Sequence, residues 1–226
     1  MRYVSILFQP KQATDLPHSG GIYTPDWAGK LWRGIDRNSA GAECRVLGEF
    51  HRDDPSFFER VPLVYPERDW SSLMEMFRPE VVGPEGAILL GLDTIIVGDL
   101  TPLEEACKGL SCVAPLDPYR KPEICNAVVY VSQEKAEEVW SKWVAERDKA
   151  LHDAKYRMMG KFSEMVWLRH HLNPEALWDD LVPGAIQSFK VDLNQGPPKK
   201  DTICVYFHGR PKPHQVKQDW VERHWR

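Results

Sequence analysis

Apolar residues fall in short runs along most of the chain and at four-residue spacing in a few stretches. Runs predict strands and the wider spacing predicts helices, so their alternation predicts an α/β layered protein. "YVSILF" (3–8) has the length of a strand. A loop containing Gly, Pro and Asp runs to Gly21. In "TPDWAGKLWRGIDRN" (24–38), Trp27, Leu31 and Ile35 share one helical face. Thr24 suits the N-cap, Pro25 the first helical position and Asp26 the positive end of the helix. "CRVLGEF" (44–50) predicts a second strand and the acidic, Pro-rich stretch 51–69 a loop. "SSLMEMFRP" (71–79) predicts a short helix ended by proline.

"AILLGLDTIIVGDL" (87–100) reads as a buried strand, a break at Gly91 and a second short strand. "LSCVAP" (110–115) and "NAVVYV" (126–131) are further strands joined by a Pro-rich loop. "SQEKAEEVWSKWVAERDKALHDA" (132–154) is a long helix capped by Ser132. Val139, Trp140, Trp143, Val144 and Leu151 form its apolar stripe, a core face. "FSEMVWLRHHL" (162–172) and "PEALWDDL" (174–181) predict two more helices, and "AIQSFK" and "TICVYFHG" the last strands. "NQGPPKKD" (194–201) has loop composition.

Asp93 breaks the apolar pattern. An unpaired buried carboxylate costs several kcal/mol in practice, so it needs a partner, a cation or a strand end. In open α/β sheets ligands gather at the carboxyl ends of central strands, which is where Asp93 falls. Asp99, in Gly98-Asp99 before "LTP", fits turn chemistry instead. His170 and His171 are adjacent on a helix, cannot share a face, and read as surface residues.

Composition narrows the field. The 226 residues suit one large domain, with 42% apolar and 27% charged residues and a net charge of −4. That balance gives no electrostatic case for a nucleic-acid binder, although "RPKPHQVKQDWVERHWR" (210–226) and Lys199-Lys200 leave a local track open. The five cysteines include no Cys-x-x-Cys pair, which predicts reduced core thiols rather than a zinc site or a disulfide framework. No apolar run approaches the ~20 residues of a membrane span, and the start lacks a signal-peptide pattern. The expectation is therefore a cytoplasmic protein without stable membrane insertion. Nine tryptophans is a high count; several suit the core, and aromatic rings also line sugar and base sites.

Five pieces occur in a recognisable order: "YTPDWAGKLWRGIDRN", "DWSSLMEMFRP", the strand with its Leu-Asp-Thr turn and "IIVGDL", Asn126 before a small residue and two valines, and "VYFHGRPKP". Together they resemble the GT-A glycosyltransferases of the glycogenin-like, family-eight type, in particular the short phage and bacterial glycosyltransferase-like proteins. The resemblance implies a single GT-A domain over 1–226, a Rossmann-like mixed sheet flanked by helices. Its nucleotide-binding half would lie at about 1–100 and its acceptor and metal-completing half at about 101–226.

It also implies a sugar transfer from a nucleotide-diphosphate sugar, UDP-sugar first, to an acceptor hydroxyl with retention. The acceptor could be a glycan, a protein or a modified base in phage DNA, the last placing the protein in the host cytoplasm. Asp93 and His208 would hold Mn²⁺ or Mg²⁺, and hard oxygen donors suit both ions. Phe8, Gln9, Tyr23, Leu92, Asp93, Gly209 and Lys212 would bind the nucleotide sugar, with Lys212 on phosphate. Asn126 and Glu164 would arrange the reacting sugar. Three positions depart from the pattern. Gly91 stands where the first acid of the Asp-x-Asp motif belongs, Ser72 where a phosphate-pairing lysine belongs, and "SEM" (163–165) where Gly-Asp-Gln belongs, so that Glu164 supplies the acid on a longer arm or forms a solvated helix face beside Lys161. These departures keep open a GT-A-fold binding protein without transferase activity.

Overall fold

The computed structural model describes residues 1–7, 23–51, 58–66 and 69–226. Phe8 and Gln9 lie outside them. Its elements in chain order are β1 (Arg2–Leu7), α1 (Pro25–Asn38), β2 (Glu43–Gly48), β3 (Glu59–Val61), a 3₁₀ helix (Trp70–Phe77), α2 (Pro79–Val82), β4 (Ala87–Leu90), β5 (Thr94–Ile96), α3 (Thr101–Ala106), β6 (Cys112–Ala114), β7 (Val128–Val131), α4 (Gln133–His152), a hairpin of β8 (Arg157–Met158) and β9 (Lys161–Phe162), α5 (Glu164–His171), β10 (Ala176–Leu177), α6 (Trp178–Leu181), β11 (Ile186–Ser188), β12 (Cys204–Tyr206) and α7 (Asp219–His224).

Seven strands form the central sheet in the order β10-β6-β7-β4-β1-β2-β3, with β7 alone antiparallel to its neighbours. The expected mixed α/β sheet with flanking helices is the fold. Strand alternation divides the core between two faces. Tyr3, Leu7, Ile88 and Leu90 pack on one side with Trp27, Leu31 and Ile35 of α1. Val4, Ile6, Ala87 and Leu89 pack on the other with Met74, Phe77, Trp143 and Trp167. Trp143 and Trp167 meet edge to face at 5.6 Å. An aromatic ring buries ~150–250 Å², so each contributes roughly 4–6 kcal/mol of transfer free energy.

The sequence pattern and the structure part in several places. Within 51–69, expected to be loop, β3 pairs in parallel with β2 despite the charges of Glu59 and Arg60. The helix expected over 71–79 is a 3₁₀ helix over Trp70–Phe77, and Pro79 opens α2 instead of only ending the preceding helix, because proline fits the first helical turn. The helix expected over 174–181 begins as β10 and becomes helical only at Trp178. On α4, Val139 and Trp143 are buried but Val144 is 46% exposed, since the stripe follows positions 136, 139, 143 and 150. His170 is exposed, as expected, whereas His171 is partly buried with Nε2 2.8 Å from the Tyr156 hydroxyl. At the basic end Trp225 is buried against Trp27 at 4.7 Å, with Lys30 over its ring, while Arg223 and Arg226 are exposed. All five cysteines are buried and unpaired. Among the described residues no helix is long and apolar enough to cross a membrane.

A second sheet, β11-β12-β5, completes the architecture. β5 leaves the central sheet after the turn at Gly91 and pairs antiparallel with β12, Thr94 opposite Tyr206. This pairing ties the end of the chain to the carboxyl edge of β4.

Candidate functional site

The turn Gly91–Thr94, closed by the Thr94 amide on the Gly91 carbonyl at 3.1 Å, carries Asp93 off the end of β4. The Phe207 amide donates to the Asp93 carbonyl at 3.1 Å, extending the β5–β12 ladder and fixing the backbone at both positions. Five residues on, Lys212 turns back. Its Nζ donates to the Phe207 carbonyl at 2.8 Å and to Asp93 Oδ2. The Tyr23 hydroxyl donates to the same Oδ2 at 2.9 Å. Burial first, and the Asp93 charge second, raise the Tyr23 phenol well above its ordinary pKa, so it stays a proton donor. The partner that a buried carboxylate requires is thus an ammonium, with a phenol beside it.

A cavity of about 320 Å³ opens at this edge. Tyr23, Leu92, Asp93, Asn126, Glu164 and His208 all line it. Lys212 is buried behind this wall, 3% exposed. At the far side Asn126 Nδ2 donates to Glu164 Oε1 at 3.1 Å. Glu164 opens α5, where the hydroxyl of Ser163 accepts from the Val166 amide, and is itself buried. Its Oε2 has no hydrogen-bond partner among the described residues. Burial is the largest influence on this carboxyl and pushes it up to about 7, outweighing the Asn126 hydrogen bond. The solvated helix face paired with Lys161 is therefore replaced by a buried acid in the cavity wall. Ser72 is buried in the 3₁₀ helix. Asp99 is the turn acid expected, accepting from the Thr101 amide and hydroxyl.

His208 stands one residue past the Phe207 anchor. Its Nε2 lies 2.7 Å from the Ser188 hydroxyl, and burial first, then Lys190, lower its pKa, so the ring is neutral near pH 7. Gly209 has φ 63°, and a Cβ there would lie 3.1 Å from Lys190 Nζ. Glycine thus gives both the left-handed backbone and room for that ammonium.

Lys190 was not marked by the sequence, nor was Tyr119. The parallel register Ser188 with Tyr206 carries both strands to the same edge, so Lys190 meets His208 and Gly209 two positions on. Tyr119 is 64% exposed at the cavity mouth, edge to face with His208 at 5.1 Å. Its loop is fixed by Asp117, which accepts from the Tyr119 and Arg120 amides and pairs with Arg169. The only signal available was an aromatic residue among turn formers in "LDPYRKPE".

The donor set does not fit the divalent ion assigned to Asp93 and His208. Among the described residues no three His, Cys, Asp or Glu side chains come together as a metal site. Gly91 brings no side-chain oxygen and its carbonyl already accepts from the Thr94 amide, Asp93 Oδ2 is taken by an ammonium and a phenol, and His208 Nε2 is engaged by Ser188. An ion on Asp93 has to displace Lys212 or sit beside it. A divalent and a monovalent cation about 4 Å apart repel by roughly 8 kcal/mol at an effective dielectric of about 20, twice the value for two unit charges.

No protein-family model matches the chain, and no curated protein matches it. Solved structures do. The apo-form glycosyltransferase GlyE of Streptococcus pneumoniae TIGR4 superposes with TM-score 0.69 at 13% identity, over 99% of this chain and 59% of GlyE. The chain therefore spans about three-fifths of GlyE's length. The galactosyltransferase LgtC in complex with donor and acceptor sugar analogs gives TM-score 0.55 at 12% identity, over 99% of this chain and 93% of LgtC. The apo bifunctional glycosyltransferase WbbM gives 0.60 at 11%, over 94% of this chain and 46% of WbbM. At such identities the likeness establishes the fold: it is of the GT-A type, and these neighbours are glycosyltransferases.

Proposed function

We propose that this protein moves a glycosyl group from a nucleotide-diphosphate sugar, UDP-sugar first among them, to an acceptor hydroxyl. One observation carries the reading. A single cavity at the carboxyl edge of the central sheet has the Asp93–Tyr23 pair with Lys212 behind it at one side, and the Asn126–Glu164 pair at the other. Ligands of α/β sheets bind at this edge. Sugar-analog binding by LgtC, which shares the fold, supports the choice of substrate class.

In the transfer, the bond from the anomeric carbon to the diphosphate oxygen breaks and its electron pair leaves with the diphosphate. The acceptor oxygen bonds to the anomeric carbon, and its proton passes to the departing oxygen on the same face, which retains configuration. The chain's part is positioning and electrostatics. Asn126 and Glu164 hold sugar hydroxyls, and Glu164, titrating near pH 7, both donates and accepts hydrogen bonds there. Neutral His208 and the cations behind it face the charge that develops on the leaving group.

The test is nucleotide release by the full chain from a panel of UDP-, GDP-, CDP-, ADP- and dTDP-sugars. Glycans, proteins and hydroxymethylated or plain DNA serve as acceptors. The expected result is release with one donor, accelerated by one acceptor class. Binding without release on any acceptor supports the binding-protein alternative. Neither binding nor release with any donor overturns both.

A further inference from the structure

We propose that the protein recognises the donor's diphosphate without a divalent ion: the Lys212 ammonium, fixed on Asp93, stands in the cation's place, and the Lys190 ammonium beside Gly209 takes the phosphate charge. The inference rests on the nucleotide-diphosphate reading of the cavity.

Charge balance is the first argument. Two carboxylates and a divalent ion sum to zero, and so do one carboxylate and one ammonium. With Gly91 in place of a second acid, Lys212 neutralises Asp93 completely. The pair is held in position: Lys212 Nζ also donates to the Phe207 carbonyl, and Tyr23 caps the same carboxylate oxygen. This site is preorganised as it stands, with no ordering left for an ion to supply.

Lys190 is the second argument. It is the ammonium nearest Gly209 and is partly exposed, in contrast to buried Lys212. Among the described residues it forms no ion pair. The backbone of Gly209 and the ring of His208 lie beside it, so an incoming phosphate oxygen meets a cation, an imidazole and a side-chain-free stretch of backbone together. A charge-assisted hydrogen bond between ammonium and phosphate suits this arrangement.

Calorimetric titration of the full chain with UDP, GDP, CDP, ADP, dTDP and inorganic pyrophosphate, in EDTA and again in Mn²⁺, tests this. The expected result is one nucleoside diphosphate bound with affinities within about twofold in the two conditions. Lys190→Gln should weaken it about tenfold while Lys190→Arg retains it. Circular dichroism and thermal melts of both variants exclude misfolding as the cause. Binding that appears only with Mn²⁺ overturns metal-independent recognition and leaves the donor assignment standing. Unaltered affinity in Lys190→Gln removes Lys190 from the site. Absence of binding to every nucleotide in both conditions fails the donor reading itself, and this inference with it.

Discussion

Lys212 and Asp93, 119 residues apart in sequence, meet as an ion pair at the cavity wall, with side chains only 4% and 16% exposed. The pairing follows from the β5–β12 ladder. Once Phe207 is bonded to the Asp93 backbone, the chain has five residues in which to turn and bring an ammonium back.

Removing one partner strands the other in a largely dry environment. Lys212→Met should therefore cost about 3 kcal/mol of stability, the usual scale for breaking a buried pair. The double variant Asp93→Asn with Lys212→Met leaves no charge behind and should lose less than the two single losses added together. A coupling of more than about 1 kcal/mol in urea denaturation is expected. Additive losses would mean that the two side chains do not depend on each other in solution.

Glu164 makes stability depend on pH. Its folded pKa of about 7 lies above the ordinary 4.5, so the folded state holds this proton more tightly than the unfolded state. The contribution is fully present below pH 4.5 and is lost as pH rises through about 7, at up to about 1.4 kcal/mol per pH unit within that window. Urea melts from pH 4.5 to 7.5 should show the wild type losing stability relative to Glu164→Gln, with the difference levelling above about pH 7. Parallel pH profiles for the two proteins would place the carboxyl in solvent.

Some of this was readable from the residues and some was not, for identifiable reasons. β4, α1 and α4 announced themselves because apolar periodicity is strong where an element buries a whole face. Asp93 stood out because a charge interrupts a buried run. β3, by contrast, is a charged edge strand whose pairing comes only from its neighbour β2. Glu164 read equally as a site acid or a solvated helix face, because burial of a single acid depends on what packs above it, and Asn126 lies on a different strand connection. Resemblance to metal-dependent enzymes suggested an ion at Asp93. The spatial partner of that carboxylate, an ammonium from the far end of the chain, depends on a strand register that no local pattern encodes. Lys190 and Tyr119 are likewise ordinary in sequence and meaningful only through where β11 and the 115–125 loop end.

Tyr119 offers a substitution that separates binding from folding. It is 64% exposed, so Tyr119→Ala should change stability by no more than about 0.5 kcal/mol. Its ring nonetheless stands at the cavity mouth beside His208, positioned by the Asp117–Arg169 pair. Removing a flat apolar face from that position should raise KM for one of the two substrates about tenfold and leave kcat within about twofold, the pattern of lost uniform binding. Unchanged KM for both substrates would exclude contact between Tyr119 and either.

Gly91 invites the reverse experiment, restoring an acid. Its φ lies outside the left-handed region, so the backbone accepts a side chain. An added Cβ would lie 2.8 Å from Asp93 Oδ1, the movable end of a side chain, so Asp93 must rotate to admit it. Gly91→Asp then places two carboxylates on one turn, and their mutual repulsion favours a divalent ion between them. Mn²⁺ should raise the melting temperature of Gly91→Asp by about 2–4 °C for each kcal/mol of binding, and leave the wild type unmoved. Gly91→Ala carries the same steric demand without the charge and should show no Mn²⁺ response. A wild-type protein that responds to Mn²⁺ as strongly as Gly91→Asp would show that one carboxylate suffices, and that Lys212 yields its place on Asp93 to the ion.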